Sequence, residues 1–263
     1  MNKNKKSNKK TNKKNLKGGD IDLFYKNFDS AIEIGKGAAG VVYLDKKQPN
    51  TVFKISYKDN VCRMWDREYK IYQKLNTFDI DEPNCKLVKM IQYKNDNIKC
   101  AMELTRSFNP LSETQNYAIH PQFGEEDFEG FTEGRGLFIG INQLIKNKIF
   151  TENNIKKYVK ELALVISRLH YKIKNDGYDL ELFISREPEN SNIIIYVSDF
   201  DLTEFITEYN DEVIARLEWS LSAVPYFPTP DQPKLFKIFK TNYINEADKY
   251  GLKLIAEKVI ELY

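Results

Sequence analysis

Residues Ile34 to Tyr43 read IGKGAAGVVY, and Gly35, Gly37, Gly40 and Val42 mark a G-x-G-x-x-G-x-V pattern. The residues after the last glycine restrict the fold. A dinucleotide-binding unit needs that glycine to open a helix, whereas Val41, Val42, Tyr43 and Leu44 continue as β-formers. The glycines therefore belong to a turn between two antiparallel strands. Such a hairpin can lay backbone N–H groups over phosphates without side-chain obstruction. An ordinary glycine-rich turn carries the same letters, so its surroundings must decide.

Those surroundings are strands. AIEIGKG and GVVYLDKK flank the glycines, and TVFKISY comes after the turn residues Gln48, Pro49 and Asn50. Residues 61–75, VCRMWDREYKIYQKL, place Met64, Glu68, Ile71, Tyr72 and Leu75 at helical spacing. Two further strands, KLVKMIQYK and NIKCAMEL, are joined by Asn95, Asp96 and Asn97. The sum is five strands and one helix over residues 20–104, mostly antiparallel. After Thr105 the pattern loosens through a Gly- and Glu-rich stretch and recovers as an amphipathic helix from Thr151 to Tyr171. Its apolar face is Ile155, Tyr158, Val159, Leu162, Ala163, Ile166 and Leu169. Asp179 to Ser185 and Ile193 to Ser198 read as short strands, and the remainder to residue 263 reads as helical around AVPYFPTPDQP.

Composition excludes several classes. With 41% hydrophobic and 30% charged residues, the chain is globular. It lacks the run of about 18 uncharged apolar residues that a bilayer-crossing helix needs, so a soluble protein is expected. Cys62, Cys85 and Cys100 form no C-x-x-C pair. With only His120 and His170 beside them, no zinc site of the usual spacing can form. The odd, sparse cysteine count fits a reducing, intracellular compartment, cytoplasm or nucleus. Residues 1–19 hold eight lysines and no acid; removing those eight from the 40 basic residues leaves 32 against 38 acidic ones, a body near −6. This segment reads as a disordered basic tail, either a solubilising arm or one that addresses nucleic acid or another anionic surface. The richness in Asn, Lys and Ile resembles proteins of AT-rich genomes, large DNA viruses among them.

Fourteen residues beyond Gly40, Lys54 sits mid-strand between apolar neighbours. A lysine on the inner face of a sheet is costly unless it meets anionic partners, and Glu68 on the next helix is the natural one. Taken singly, Lys54 is a solvated strand lysine and Glu68 a surface carboxylate. Their order behind the glycine turn raises both above that.

Glycine turn, VFKI strand and Glu68 helix together resemble the protein-kinase-like fold. The resemblance implies an α+β, two-lobed architecture: a five-stranded antiparallel N-lobe over 20–104 and a shortened, mainly helical C-lobe over 105–263. It implies ATP and Mg²⁺ as cofactors. Gly35, Gly37, Gly40 and Val42 would cover the nucleotide. Lys54, held by Glu68, would grip its phosphates, and Glu103 and Leu104, behind Met102, would take the adenine through a hinge. Leu169 and His170 are similar to the Leu-His that often closes the long kinase helix. Kinases then read H-R-D-L-x-x-x-N where this chain reads IKNDGYDLELFI. Aligning the apolar trio Leu182, Phe183 and Ile184 puts Asp176 at the catalytic base position and Glu181 at the metal position, with Asp179 a competing base. A carboxylate serves Mg²⁺ as well as an amide does. VSDFDL looks like the D-F-G element with Asp201 in the place of the glycine, which makes Asp199 a metal ligand.

GYDLELFI, VSDFDL, VPYFPTP and KLFKIFKTNYI also resemble a kinase-like family best known from fungi, with D-x-x-D-V-E-F and P-Y-Y-P-x-P motifs and Glu in the place of Asn. That family likeness supplies no activity. The departures set limits: no A-P-E element comes after Asp201, and Asn175, not Arg, directly precedes Asp176. Trp219, Tyr226 and Phe227 are expected to pack a core. Two functions stay open, an ATP- and Mg²⁺-dependent phosphotransferase acting on a hydroxyl of a protein or small molecule, and a pseudokinase that recognises a protein partner.

Overall fold

The computed structural model describes residues 21–263 except 27, 37, 38, 49, 97, 98, 108, 110, 112–116, 133–135 and 188–191; the lysine-rich segment 1–19 and Gly37 lie outside the described residues. The chain is α+β. It runs through α1 (Ile21–Lys26), β1 (Ala31–Lys36), β2 (Val41–Asp45), β3 (Thr51–Ser56), α2 (Asp59–Leu75), β4 (Cys85–Leu87), β5 (Met90–Asn95) and β6 (Cys100–Thr105). The first sheet has the order β1-β2-β3-β6-β5, with every pair antiparallel, in line with the five mostly antiparallel strands expected.

Alternation along β3 separates two faces. Phe53 and Ile55 turn outward under α1, where Phe53 stacks on Phe24 with centroids 4.1 Å apart. Val52, Lys54 and Ser56 take the opposite face, toward α2. That helix buries Val61, Cys62, Trp65, Glu68, Ile71, Tyr72 and Leu75, a stripe at spacings of three and four. Asp59 in its first turn and Lys74 in its last suit the helix dipole. Met64, placed by its spacing on the apolar face, is 36% exposed, and Trp65 takes the inward position instead.

KLVKMIQYK, read as one strand, is two. β5 joins the first sheet, whereas β4 pairs in parallel with a strand far along the chain. Val88 N–H donates to Val197 O at 2.9 Å, and Lys89 O accepts from Thr105 N–H at 2.8 Å, so consecutive residues are bonded to different sheets. The segment 20–104 thus gives one strand to the second sheet.

That second sheet adds three strands that the sequence did not announce to a C-terminal part in which helices still predominate. The chain continues through β7 (Ile119–Gln122), β8 (Glu129–Thr132), β9 (Gly136–Gly140), α3 (Ile141–Lys146), α4 (Glu152–Ser167), β10 (Glu181–Arg186), β11 (Ile193–Ser198), α5 (Asp211–Ser222), α6 (Pro233–Asp248) and α7 (Lys253–Leu262). The strand order is β4-β11-β10-β7-β9-β8. β7, β8 and β9 fall in the stretch whose pattern loosens. They escape sequence reading because they are short and because β7, IHPQ, is buried on both faces and carries a proline.

Helix α4 starts at a reciprocal cap: Asn154 N–H donates to the Thr151 hydroxyl at 3.2 Å, and Thr151 N–H to the Asn154 side chain at 2.6 Å. It continues as a π-helical turn over Arg168–Ile173. The Ser167 hydroxyl donates to Tyr243 O of α6 at 2.7 Å, and Arg168 pairs with Glu82 at 2.7 Å and Glu246 at 2.9 Å. Tyr226 and Phe227 are buried, as expected. Among the described residues no helix is long and apolar enough to cross a membrane.

Gly40 is required by packing. A Cβ there would lie 2.4 Å from Ile55 O and 3.1 Å from the Trp65 ring, so β2 could not start so close to β3. Gly35 would meet only Val42 Cβ at 3.9 Å. Urea unfolding of Gly40→Ala should show a loss of about 1–3 kcal/mol, the usual cost of overpacking, with Gly35→Ala close to wild type.

Candidate functional site

The register of the first sheet lines up a row: Gly35 opposite Val42, Val42 opposite Lys54, and Lys54 opposite Met102. Lys54 rises from this row over the Trp65 ring, 5.2 Å from its centroid. In the second sheet, β10 and β11 form a hairpin that sets Glu181 opposite Ser198, so Asp199 leaves the hairpin end beside Glu181. Asp199 has φ 65°, a left-handed conformation that Asp tolerates better than most residues. Lys54 Nζ and Asp199 Oδ1 meet at 4.0 Å, joining the two sheets.

Behind this pair stands Glu68, 2% exposed and the one carboxylate in the buried stripe of α2. One of its oxygens is withdrawn from solvent without a hydrogen-bond partner, and the Phe200 ring packs edge-on against Tyr72, one turn further along α2, at 5.3 Å. Burial opposes the charge on Lys54, but Glu68, Asp199, Asp201 and Glu181 together outweigh it and hold the ammonium above its usual pKa. Burial, with only partial relief from Lys54, pushes Glu68 up to about 7. Burial and the neighbouring Asp199 also raise Asp201. The result is one ammonium facing several crowded carboxylates, a field that a divalent cation or a further positive charge would relieve.

Glu68 makes stability depend on pH. Below 4.5, the ordinary value for Glu, its carboxyl is protonated in folded and unfolded chains alike. As pH rises from there to about 7, the unfolded chain sheds the proton first and the folded chain keeps it, so stability falls; above that it levels off at a deficit of about 3 kcal/mol. Glu68→Gln should remove this slope. Unfolding curves at several pH values should show wild type losing ground to the variant between these limits and running parallel to it above them.

The expected base, Asp176, is engaged by its own loop and by α5. Asp176 is 2% exposed. Its Oδ1 accepts from Glu204 N–H at 2.8 Å and Tyr178 N–H at 3.3 Å, and its Oδ2 is ion-paired to Arg216 of α5, which also binds Glu204 at 2.8 Å. Burial raises its pKa against those donors. Asp176 thus anchors its loop. Asp179, the competing base, is exposed, has φ 60°, and lies close enough to raise the pKa of Asp201. Gly177 between them has φ 62° and sits where a Cβ would come 2.9 Å from His170 Nε2. His170 itself is fully buried, its Nδ1 2.7 Å from the Tyr243 hydroxyl, and burial drops its pKa to about 3, so it is a neutral packing group.

Trp219 corrects the core expectation. It is 41% exposed and stacks on Tyr178 with centroids 4.4 Å apart and planes 14° from parallel. Glu103 and Leu104 lie near the end of β6, as expected, paired with β3 on one side and β5 on the other, and the Glu103 carboxylate is buried, accepting from Gln92 Nε2 at 2.6 Å. Sequence reading missed Arg216, Asp201 as a member of the carboxylate group, and Trp65. Only Trp65 had a signal, its helical spacing from Glu68. The sulfur pairing was missed too: Cys62 of α2 and Cys100 of β6 form a disulfide, which leaves Cys85 as the free, buried thiol.

No family model matches this chain, and neither does any curated protein.

Proposed function

We propose that the chain is a two-lobed, protein-kinase-like phosphotransferase, using ATP and Mg²⁺ to phosphorylate a hydroxyl of a protein or small-molecule acceptor. The Lys54–Asp199 approach at 4.0 Å carries this reading, because it brings an ammonium from one sheet and a carboxylate from the other to a single point. Lys54 would bind nucleotide phosphates, with Glu68 and Trp65 fixing its position. Asp199 and Glu181, adjoining at the hairpin end, suit Mg²⁺, which takes one or two carboxylates and fills its shell with phosphate and water. Bound there, the ion would neutralise charge on the transferring phosphoryl group. Asp179 is the exposed carboxylate able to orient an acceptor hydroxyl, while Asp176 holds the loop.

A second reading, a nucleotide-binding pseudokinase that recognises a protein partner, is favoured by the burial of Asp176 against Arg216. An intracellular location, a viral origin and a nucleic-acid partner for the lysine tail complete the proposal. Thermal unfolding with millimolar MgATP tests it: saturation near a hundredfold excess over Kd should add about 2.7 kcal/mol of stability. ATP turnover then separates enzyme from binder. Absence of any shift would remove both nucleotide readings.

A further inference from the structure

A cleft of about 500 Å³ opens on the second sheet, at the end of β10 away from Glu181. Its walls include Ile119, Leu137, Ile139, Ile149 and Ile193. Two cationic side chains, Arg186 and Lys148, join them, and among the described residues no carboxylate does.

Arg186 stands where the strand pattern asks for an apolar residue. Along β10, Leu182 and Ile184 are fully buried, and alternation puts Arg186 next on that same face. Their partners across the register, Val197, Ile195 and Ile193, are all apolar. Arg186 Nε is withdrawn from solvent and has no hydrogen-bond partner. The adjacent Glu187 is engaged elsewhere, with Lys86 at 2.9 Å. Among the described residues no carboxylate comes within ion-pairing distance of the guanidinium. An unpaired cation against an apolar sheet face is costly unless an anion completes it.

We infer that this cleft binds a small amphiphilic anion, a carboxylate or phosphate monoester on a hydrocarbon or aromatic body, with its head group on Arg186. The volume is that of an ordinary small-molecule site, and guanidinium matches both head groups. Lys148 adds a second positive charge. This site is separate from the Lys54–Asp199 point, and the inference does not depend on the phosphotransferase reading.

Two fluorescent probes with the same apolar body test it on the full chain: anilinonaphthalene sulfonate, which is anionic, and phenylnaphthylamine, which is neutral. The sulfonate should bind at one site per chain, and Arg186→Gln should weaken it by about tenfold or more while changing the neutral probe by less than about twofold. Leu137→Trp, which fills the cleft, should remove both. Unchanged thermal melts would show that these variants are folded, and Arg186→Lys should restore part of the sulfonate affinity. Octanoate and octyl phosphate are then competed against the sulfonate, and the stronger competitor identifies the head group. Equal sulfonate binding in wild type and Arg186→Gln, equal loss of both probes in that variant, or no displacement by either competitor at millimolar concentration would overturn the proposal.

Discussion

Asp199→Asn should abolish ATP turnover while leaving the fold intact. The substitution is chosen for its backbone. At φ 65° an alanine would add strain of about 1–2 kcal/mol, whereas Asn tolerates the left-handed region as Asp does. The variant keeps the volume and loses the charge. Lys54 is left with Glu68, Asp201 and Glu181 as its remaining anionic neighbours, which should hold it in place. The group that disappears is, in the proposed reaction, the carboxylate that would hold Mg²⁺ where phosphate charge is neutralised. Losing one such charge-stabilising group typically costs a factor of about 10²–10³ in rate. The MgATP-dependent thermal shift should shrink with it, and Lys54→Met should diminish the shift by a different route, loss of the phosphate contact. Turnover in Asp199→Asn equal to wild type would mean that the reaction centre lies elsewhere, and a wild-type nucleotide shift without turnover would leave the pseudokinase reading.

Reduction of the Cys62–Cys100 disulfide should produce the largest change in stability. The bond closes a loop of 38 residues, and the chain-entropy relation gives such a loop about 4 kcal/mol. At about 2–4 °C per kcal/mol for a chain of this size, the melting temperature should fall by roughly 10 °C in reductant. Cys62→Ser with Cys100→Ser should melt where the reduced wild type does, and should no longer respond to reductant. Thiol alkylation in denaturant should label Cys85 alone before reduction and all three cysteines after it. Three labelled thiols without reductant would sink the pairing. Because cytosolic thiols are normally kept reduced, the same measurement bears on the intracellular location expected from the sparse cysteine count.

The first sheet was legible because its strands carried runs of β-forming residues and its turns their own Gly, Pro, Asn or Asp. Lys54 and Asp199 were legible as a pair only through their order along the chain, and the structure brings them together. Cys62 and Cys100 carried no such order; their pairing depends on α2 lying across β6, a tertiary fact that neither segment records. Asp176 looked available because Arg216, the side chain that engages it, comes from α5, forty positions later and unmarked by any motif. Trp219 was assigned to a core on hydrophobicity alone, which cannot distinguish a buried ring from one stacked in the open on Tyr178. β7 was lost because it pairs in parallel with β9 and antiparallel with β10 far along the chain, and so has no hairpin to advertise either neighbour.

The crossing at Val88 and Lys89 has a mechanical meaning. One peptide group separates a residue stitched to β11 from a residue stitched to the end of β6. A sliding displacement between the sheets would have to tear one of those stitches, whereas a swing needs only torsion about the bonds between them. The dipeptide thus rivets one edge of each sheet to the other, through bonds that a slide would break and a torsion would spare.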